Sequence, residues 1–137
     1  AGRDVINVTT GSELNVKVGL SICYDVRFPE LYRQLGEIDI ITVPAAFTYE
    51  TGQAHWHTLL ASRAIENLCY VVGSAQWGEH YGNRKTYGHS MIVDPWGEIK
   101  DELPVGNGLV VSEIDLDHLA EIRSKFPALS HRRINYD

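Results

Sequence analysis

Val16-Lys17-Val18-Gly19-Leu20-Ser21-Ile22-Cys23-Tyr24, followed by Asp25-Val26-Arg27-Phe28-Pro29-Glu30, decides how this chain folds. Its apolar residues alternate at first and then run almost continuously, as they do in a strand buried on both faces. Pro29 stands where the first turn of a helix tolerates it, Glu30 to Leu35 continue with helix formers, and Gly36 stops them. Ile38 to Pro44 reads as a second buried, β-branched strand, and 45–52 as a loop. Gln53 to Leu68 places Trp56, Leu59, Leu60, Ala64, Ile65 and Leu68 near a 3.6-residue period, which predicts an amphipathic helix. Strand and helix in alternation predict a parallel sheet in this half of the chain.

The later elements read differently. Cys69 to Gln76 forms a strand signal that runs into a polar loop, Trp77 to Thr86. Gly88 to Val93 faces Glu98 to Leu103 across Asp94-Pro95-Trp96-Gly97, where proline suits a type I turn and glycine supplies positive φ. Leu109 to Ile114 predicts another strand. Asp115 or Asp117 caps a helix running to Lys125, with Leu119, Ile122 and Phe126 turned inward. Residues 1–15 read as an irregular lead-in and 127–137 as an irregular basic tail. The whole is an α/β layered protein, parallel early and antiparallel late.

A chain of 137 residues allows one domain of ordinary size. Its formal net charge of −6 and pI near 5.4 argue against nucleic acid or an anionic membrane as partner. With 44% hydrophobic and 22% charged residues it has the composition to build a core. The longest apolar stretch, Ile38 to Phe47, is interrupted by Asp39 and Pro44 and falls short of the roughly 18 residues of a membrane span. Ala1-Gly2-Arg3-Asp4 opens no signal-peptide core. Cys23 and Cys69 are therefore expected as free thiols in a cytoplasmic protein.

Cys23 is the candidate nucleophile. A cysteine at the carboxyl end of a buried strand, before a helix, occupies the ligand-facing crest of an α/β sheet. The helix start and Arg27 are expected to favour the thiolate, and the amide after the cysteine to help hold an oxyanion. The alternative is one more small buried hydrophobe.

Cys23 to Leu31 resembles the nucleophile motif of the nitrilase superfamily of carbon–nitrogen hydrolases. The resemblance continues through Val43-Pro44-Ala45-Ala46-Phe47-Thr48, Thr51-Gly52-Gln53-Ala54-His55-Trp56, and Arg63-Ala64-Ile65-Glu66-Asn67 with Cys69-Tyr70-Val71-Val72. Tyr87-Gly88-His89-Ser90-Met91 with Val93-Asp94-Pro95-Trp96-Gly97 and Ser130-His131-Arg132-Arg133 complete it. The Phe28-Pro29-Glu30 and Tyr87-to-Met91 blocks look like the branch that hydrolyses deaminated glutathione, with the ω-amidase branch as alternative. The resemblance implies a four-layer α-β-β-α sandwich and a Glu-Lys-Cys catalytic set working through a thioester. Cys23 matches the nucleophile. The glutamate and lysine precede the cysteine in the family and match nothing here; Lys17 lies six residues back along the same strand, too far along it to reach the thiol. Residues 1–137 are therefore expected to form the second half of the domain, inactive alone, with the apolar runs around Leu20 and Ile41 left unpaired or facing water. The Gln34 to Ile38 connection is a couple of residues shorter than the family pattern.

Tyr24, Arg27, Phe47 and Thr48 are the candidate substrate-binding residues. Arg27 is suited to a substrate carboxylate, or else to an ion pair with Asp25 or Glu30; Phe47 and Thr48 follow the second strand on the sheet edge that bears Cys23. Trp56 belongs to the core. Arg63, Glu66 and Asn67, at i, i+3 and i+4, pair or cap locally. His55 and His57 point to nearly opposite helix faces and cannot chelate one ion, and His80 and His89 lack a third spaced ligand, so no metal and no cofactor are expected. A Cys23–His89 peptidase pair is chemically conceivable but lacks a protease signature. Gly106-Asn107-Gly108 is a turn, too short to cradle phosphate. The expected partners are a small-molecule amide and, in the complete protein, further copies of itself. The alternative of another class is a non-catalytic remnant that only associates.

Overall fold

The computed structural model describes residues 4–11, 13 and 15–134. Ala1 to Arg3, residues 12 and 14 of the lead-in, and the last three residues of the tail lie outside the described residues. Eight strands are described: β1 (Asn7–Thr9), β2 (Lys17–Leu20), β3 (Ile40–Thr42), β4 (Tyr70–Gly73), β5 (Trp77–His80), β6 (Arg84–Tyr87), β7 (Ser90–Val93) and β8 (Ile99–Leu103). Three α-helices accompany them: α1 (Pro29–Gln34), α2 (Tyr49–Asn67) and α3 (Leu116–Lys125). Six strands form one sheet in the order β1-β2-β3-β4-β7-β8, and β5 pairs with β6 apart from it. β2, β3 and β4 are parallel, with Gly19, Ile41 and Val71 in register. β1, β7 and β8 pair antiparallel. From β2 onward the order is parallel and then antiparallel, as the sequence predicts; the antiparallel β1 lies in the stretch that reads as an irregular lead-in.

One face of the sheet is closed by α1 and α2. Ile41, Val71, Met91 and Val93 point into it and are at most 1% exposed, packed with Tyr32, Trp56, Leu60 and Ala64. A Cβ added to Gly73 would lie 2.5 Å from a Leu60 methyl and 3.0 Å from the Trp56 ring, so glycine lets α2 sit down on β4. The neighbouring positions point the other way, by the two-residue period of a strand. On that face Leu20 is 41% and Val8 46% exposed. The expectation that the Ile41 run faces water is thus corrected: Ile41 turns toward the helices, and Leu20 is the residue left open. The described residues supply one six-stranded sheet, covered on one face by α1 and α2, and the separate β5–β6 pair.

Several elements differ from the sequence reading. The strand read over Val16 to Tyr24 keeps only Lys17–Leu20, and Cys23 to Arg27 wind into a 3-10 turn. The lead-in contains β1, a short exposed edge strand whose polar residues conceal it. The loop read over Trp77 to Thr86 is the β5–β6 hairpin. It carries little apolar pattern because its pairing is local and wet: Lys85 bonds Glu79 at 2.6 Å, and His80 Nε2 meets Thr86 Oγ1 at 2.7 Å. α2 begins at Tyr49, four residues earlier than read, and Gly52 inside it lets Tyr87 approach; an added Cβ would lie 2.3 Å from the Tyr87 Cβ. Leu109 to Ile114 forms no strand, since no neighbouring strand pairs with it; Leu109 and Val111 stay exposed while the Val111 amide donates to Asp101 Oδ2 at 2.9 Å. Asp115 caps α3 through the His118 amide at 2.8 Å, and Leu119 and Ile122 are buried, but Phe126 is half exposed and meets the Trp96 edge.

Candidate active site

Hydrogen bonds from three directions fix the turn that carries Cys23. The Ser21 and Cys23 amides donate to the carbonyls of Thr42 (3.2 Å) and Pro44 (2.8 Å), lashing the exit of β2 to that of β3. The Tyr32 hydroxyl donates to Ser21 Oγ, which donates to the Thr42 carbonyl, each at 2.8 Å. Asp25 Oδ2 accepts the Ile22 amide at 2.9 Å, closing the turn from within. From α2, the buried Arg63 donates through Nε to the Val26 carbonyl at 2.9 Å; its guanidinium lies 5.3 Å from the Tyr32 ring centre and pairs with Glu66 at 2.5 Å. Asn67 Nδ2 donates to the Arg63 carbonyl at 2.9 Å. The local pairing expected of Arg63, Glu66 and Asn67 is present, and it braces the cysteine turn. Burial pushes the Tyr32 phenol up to about 12, so it stays a donor.

Held this way, Cys23 adopts φ +48°, the left-handed region that costs a non-glycine residue of order 1 kcal/mol or more. The half-buried thiol borders a cavity of about 460 Å³ whose walls come from residues 44–46 after β3 and 74–76 after β4. All three segments leave the carboxyl ends of parallel strands, where α/β sheets present ligand sites. The Tyr24 amide follows in the first turn of the 3-10 segment, where N–H groups have no intrahelical carbonyl. Among the described residues, no acid, lysine or histidine lines this cleft. A neighbouring hollow of about 400 Å³ shares Ser74, Ala75 and Gln76 and extends to His80 and Gly106. A further hollow, about 510 Å³ between Trp96 and Phe126, lies by α3 and holds no thiol.

The candidate substrate residues divide. Arg27 lies across two rings, 5.7 Å from the Tyr24 centre and 5.2 Å from that of Phe47, and its Nη1 donates to His55 Nδ1 at 3.4 Å. Among the described residues it has no ion-pair partner, neither Asp25 nor Glu30. Tyr24 is exposed and meets the Phe28 edge. Phe47 is buried against Trp56, at 4.8 Å between ring centres, and Trp56 is wholly core. Thr48 is the residue before α2; its hydroxyl meets that of Thr51 at 2.6 Å and its backbone bridges Thr86. None of the four borders the Cys23 cavity itself. Sequence reasoning missed Ser74, Ala75 and Gln76 in its wall. The signal was present, because they end a strand parallel to β2 and β3.

The histidines are also placed. His55 faces Arg27 and His57 faces Glu102, on different sides of α2 as the helical spacing requires. His89 does not pair with Cys23. It bonds Glu102 through Nδ1 and stacks on Tyr87 at 4.0 Å. Burial pushes the Glu102 carboxyl up, but hydrogen bonds from His89 and His57 outweigh it and leave the carboxyl below its ordinary value.

Comparison with known proteins fits this geometry. Residues 1–124 match the family described as carbon-nitrogen hydrolase. The chain is 55% identical over 117 residues to a deaminated glutathione amidase of Synechocystis, covering 84% of this chain and 43% of that protein. It superposes on the crystal structure of the C. elegans NitFhit protein with TM-score 0.87 and 47% identity, over 97% of this chain and 32% of that one. A Xanthomonas campestris CN-hydrolase superfamily protein, solved with an arsenic adduct in its active site, gives TM-score 0.88 and 29% identity over 100% of this chain and 53% of that one. The chain thus spans about two fifths of the length of the Synechocystis relative.

Proposed function

Since the chain belongs to the carbon–nitrogen hydrolase family, we propose that Cys23 is the nucleophile of an amidase acting on a small carboxylate-bearing amide, deaminated glutathione being the leading substrate. The observation that carries this reading is the left-handed Cys23 turn, braced by Arg63 and Tyr32 and opening on a cleft at the carboxyl ends of β2, β3 and β4.

The Cys23 sulfur attacks the amide carbonyl carbon, and the oxyanion that forms is met by the Tyr24 amide. Collapse breaks the carbon–nitrogen bond; the leaving nitrogen takes a proton and departs as ammonia or an amine. Water then attacks the thioester, releases the carboxylic acid and returns the thiol. The proton carrier and a cationic oxyanion partner, glutamate and lysine by family resemblance, come from residues outside the described cleft, whose walls hold neither. Arg27, spread over Tyr24 and Phe47 without an acidic partner among the described residues, is the anchor for the substrate carboxylate. Acidic composition and two free thiols support a cytoplasmic setting. Family resemblance alone supports self-association of the complete protein.

The test is ammonia release from a 2-oxo-acid amide, by the chain alone and in its full reading frame. The full protein should turn over, the isolated chain should not, and Cys23→Ala should cost on the order of 10⁴-fold or more, as for groups that act as a unit. Full activity in Cys23→Ala contradicts the nucleophile. Cys23-dependent turnover by the isolated chain contradicts the division of labour.

A further inference from the structure

Three side chains outside the Cys23 cleft converge on one point. His57 comes from α2, His89 from the turn between β6 and β7, and Glu102 from β8. One donor atom of each lies within 4.8 Å of the other two. His57 Nε2 is 2.8 Å from Glu102 Oε1, and His89 Nδ1 bonds the same oxygen. We propose that these residues form a site for a divalent transition-metal ion, with Zn²⁺ the ion that best fits two imidazoles and one carboxylate.

The geometry is close to what such an ion requires. Zinc holds imidazole nitrogen and carboxylate oxygen at about 2.0–2.2 Å, so donors around a tetrahedral ion stand roughly 3.3–3.5 Å apart. To admit it, Glu102 Oε1 must retreat by about half an ångström from His57 Nε2 and by about 1 Å from His89 Nδ1. The imidazoles are already oriented. Tyr87 stacks on His89 with 19° between the ring planes and meets His57 in a T-shaped arrangement at 6.0 Å between ring centres. The His89 backbone is clamped at φ +59°: its amide donates to the Pro104 carbonyl at 3.0 Å, and its carbonyl accepts the Trp56 indole N–H at 2.8 Å. A third of His57 and about a fifth of His89 remain exposed, leaving a solvent side for a fourth ligand. On binding, the proton on each donor nitrogen moves to the other ring nitrogen, since imidazole ligates as the neutral form. The ion would tie α2 to β8 and to the His89 turn, a structural role separate from amide chemistry because none of the three residues lines the Cys23 cleft.

The experiment uses the protein in its full reading frame with Cys23 alkylated, which removes the competing thiol. Zn²⁺ is followed by calorimetry and Co²⁺ by its visible absorption. The proposal expects about one ion per chain, an affinity at least ~10-fold lower in His57→Ala, and loss of the Co²⁺ bands in Glu102→Gln; loss of a ligand costs at least as much as the 10–100-fold seen for outer-shell partners. His57 is part-exposed on a helix surface, and alanine is the better helix former, so His57→Ala keeps the test independent of folding. Absence of saturable binding, or equal affinity in both variants, overturns it.

Discussion

The two cysteines stand at opposite ends of the same parallel sheet, and the two ends are built differently. Cys69 precedes β4 at the amino end, wholly buried, with its amide on the Ala64 carbonyl at 3.2 Å. Around it Arg123 from α3 donates to the Ile38 carbonyl at 2.6 Å and the Leu68 carbonyl at 3.0 Å, and meets Asp39 at 3.2 Å. Asp39 in turn accepts the Lys17 amide, so three strand starts are tied through one arginine–aspartate pair. Burial pushes the Cys69 thiol up to about 12, against a weaker pull from Arg123. Cys23, past the carboxyl end of β2, is part-exposed and left-handed beside a cleft, and the nearby Arg27 rests on aromatic faces with no acidic partner among the described residues. Saturated hydrogen bonding makes the amino end a clasp. The carboxyl end keeps strain, an unpaired cation and open volume, which are the conditions for binding and chemistry.

Probing this contrast is expected to change specificity at the open end. In the full protein, Arg27→Ala should lower kcat/KM for a carboxylate-bearing amide about 10- to 100-fold, corresponding to a charge-assisted contact of about 1.5–3 kcal/mol. A neutral amide should lose far less. Equal losses would make Arg27 a structural member of the Tyr24–Phe47 stack and erase the distinction from Arg123.

A different effect, on stability rather than on rate, belongs to the closed end. The Cys69 pKa is raised from 9.0 to about 12 on folding, so the folded state holds its proton more tightly than the unfolded chain. That contribution is full below pH 9 and is lost as pH climbs toward 12, at roughly 1.4 kcal/mol per pH unit. Tyr32, raised from 10.0 to about 12, acts in the same direction. Chemical denaturation at a series of alkaline pH values should therefore show stability falling above pH 9, with a shallower slope in Cys69→Ala. An unchanged slope would mean that Cys69 is not sealed.

Much of this contrast was legible in the sequence. The apolar runs around Gly19, Ile41 and Val71 announced three buried parallel strands, Pro29 and Gly36 bounded α1, and Asp94 to Gly97 marked the antiparallel turn; Asp94 Oδ1 accepts the Trp96 and Glu98 amides, and Gly97 takes φ +89°. Cys23 was legible as well, because a thiol at a strand exit before a helix start is a positional signal. What escaped depends on contacts distant in sequence. β5 and β6 pair through exposed polar residues and leave no apolar period to read. Leu109 to Ile114 has the period of a strand but pairs with no described strand; its Val111 amide goes to the Asp101 side chain instead. The helical period correctly separated His55 from His57, yet it could not show that Glu102, 45 residues on, folds back beneath His57.

The central claim is that Cys23 is the open, reactive thiol and Cys69 the sealed one. Its most direct test is brief treatment of the native protein with iodoacetamide at neutral pH, followed by peptide mass mapping of both cysteines. Carbamidomethylation is expected at Cys23, while Cys69 stays unmodified until the protein is denatured. Equal labelling of both, or faster labelling of Cys69, would contradict it.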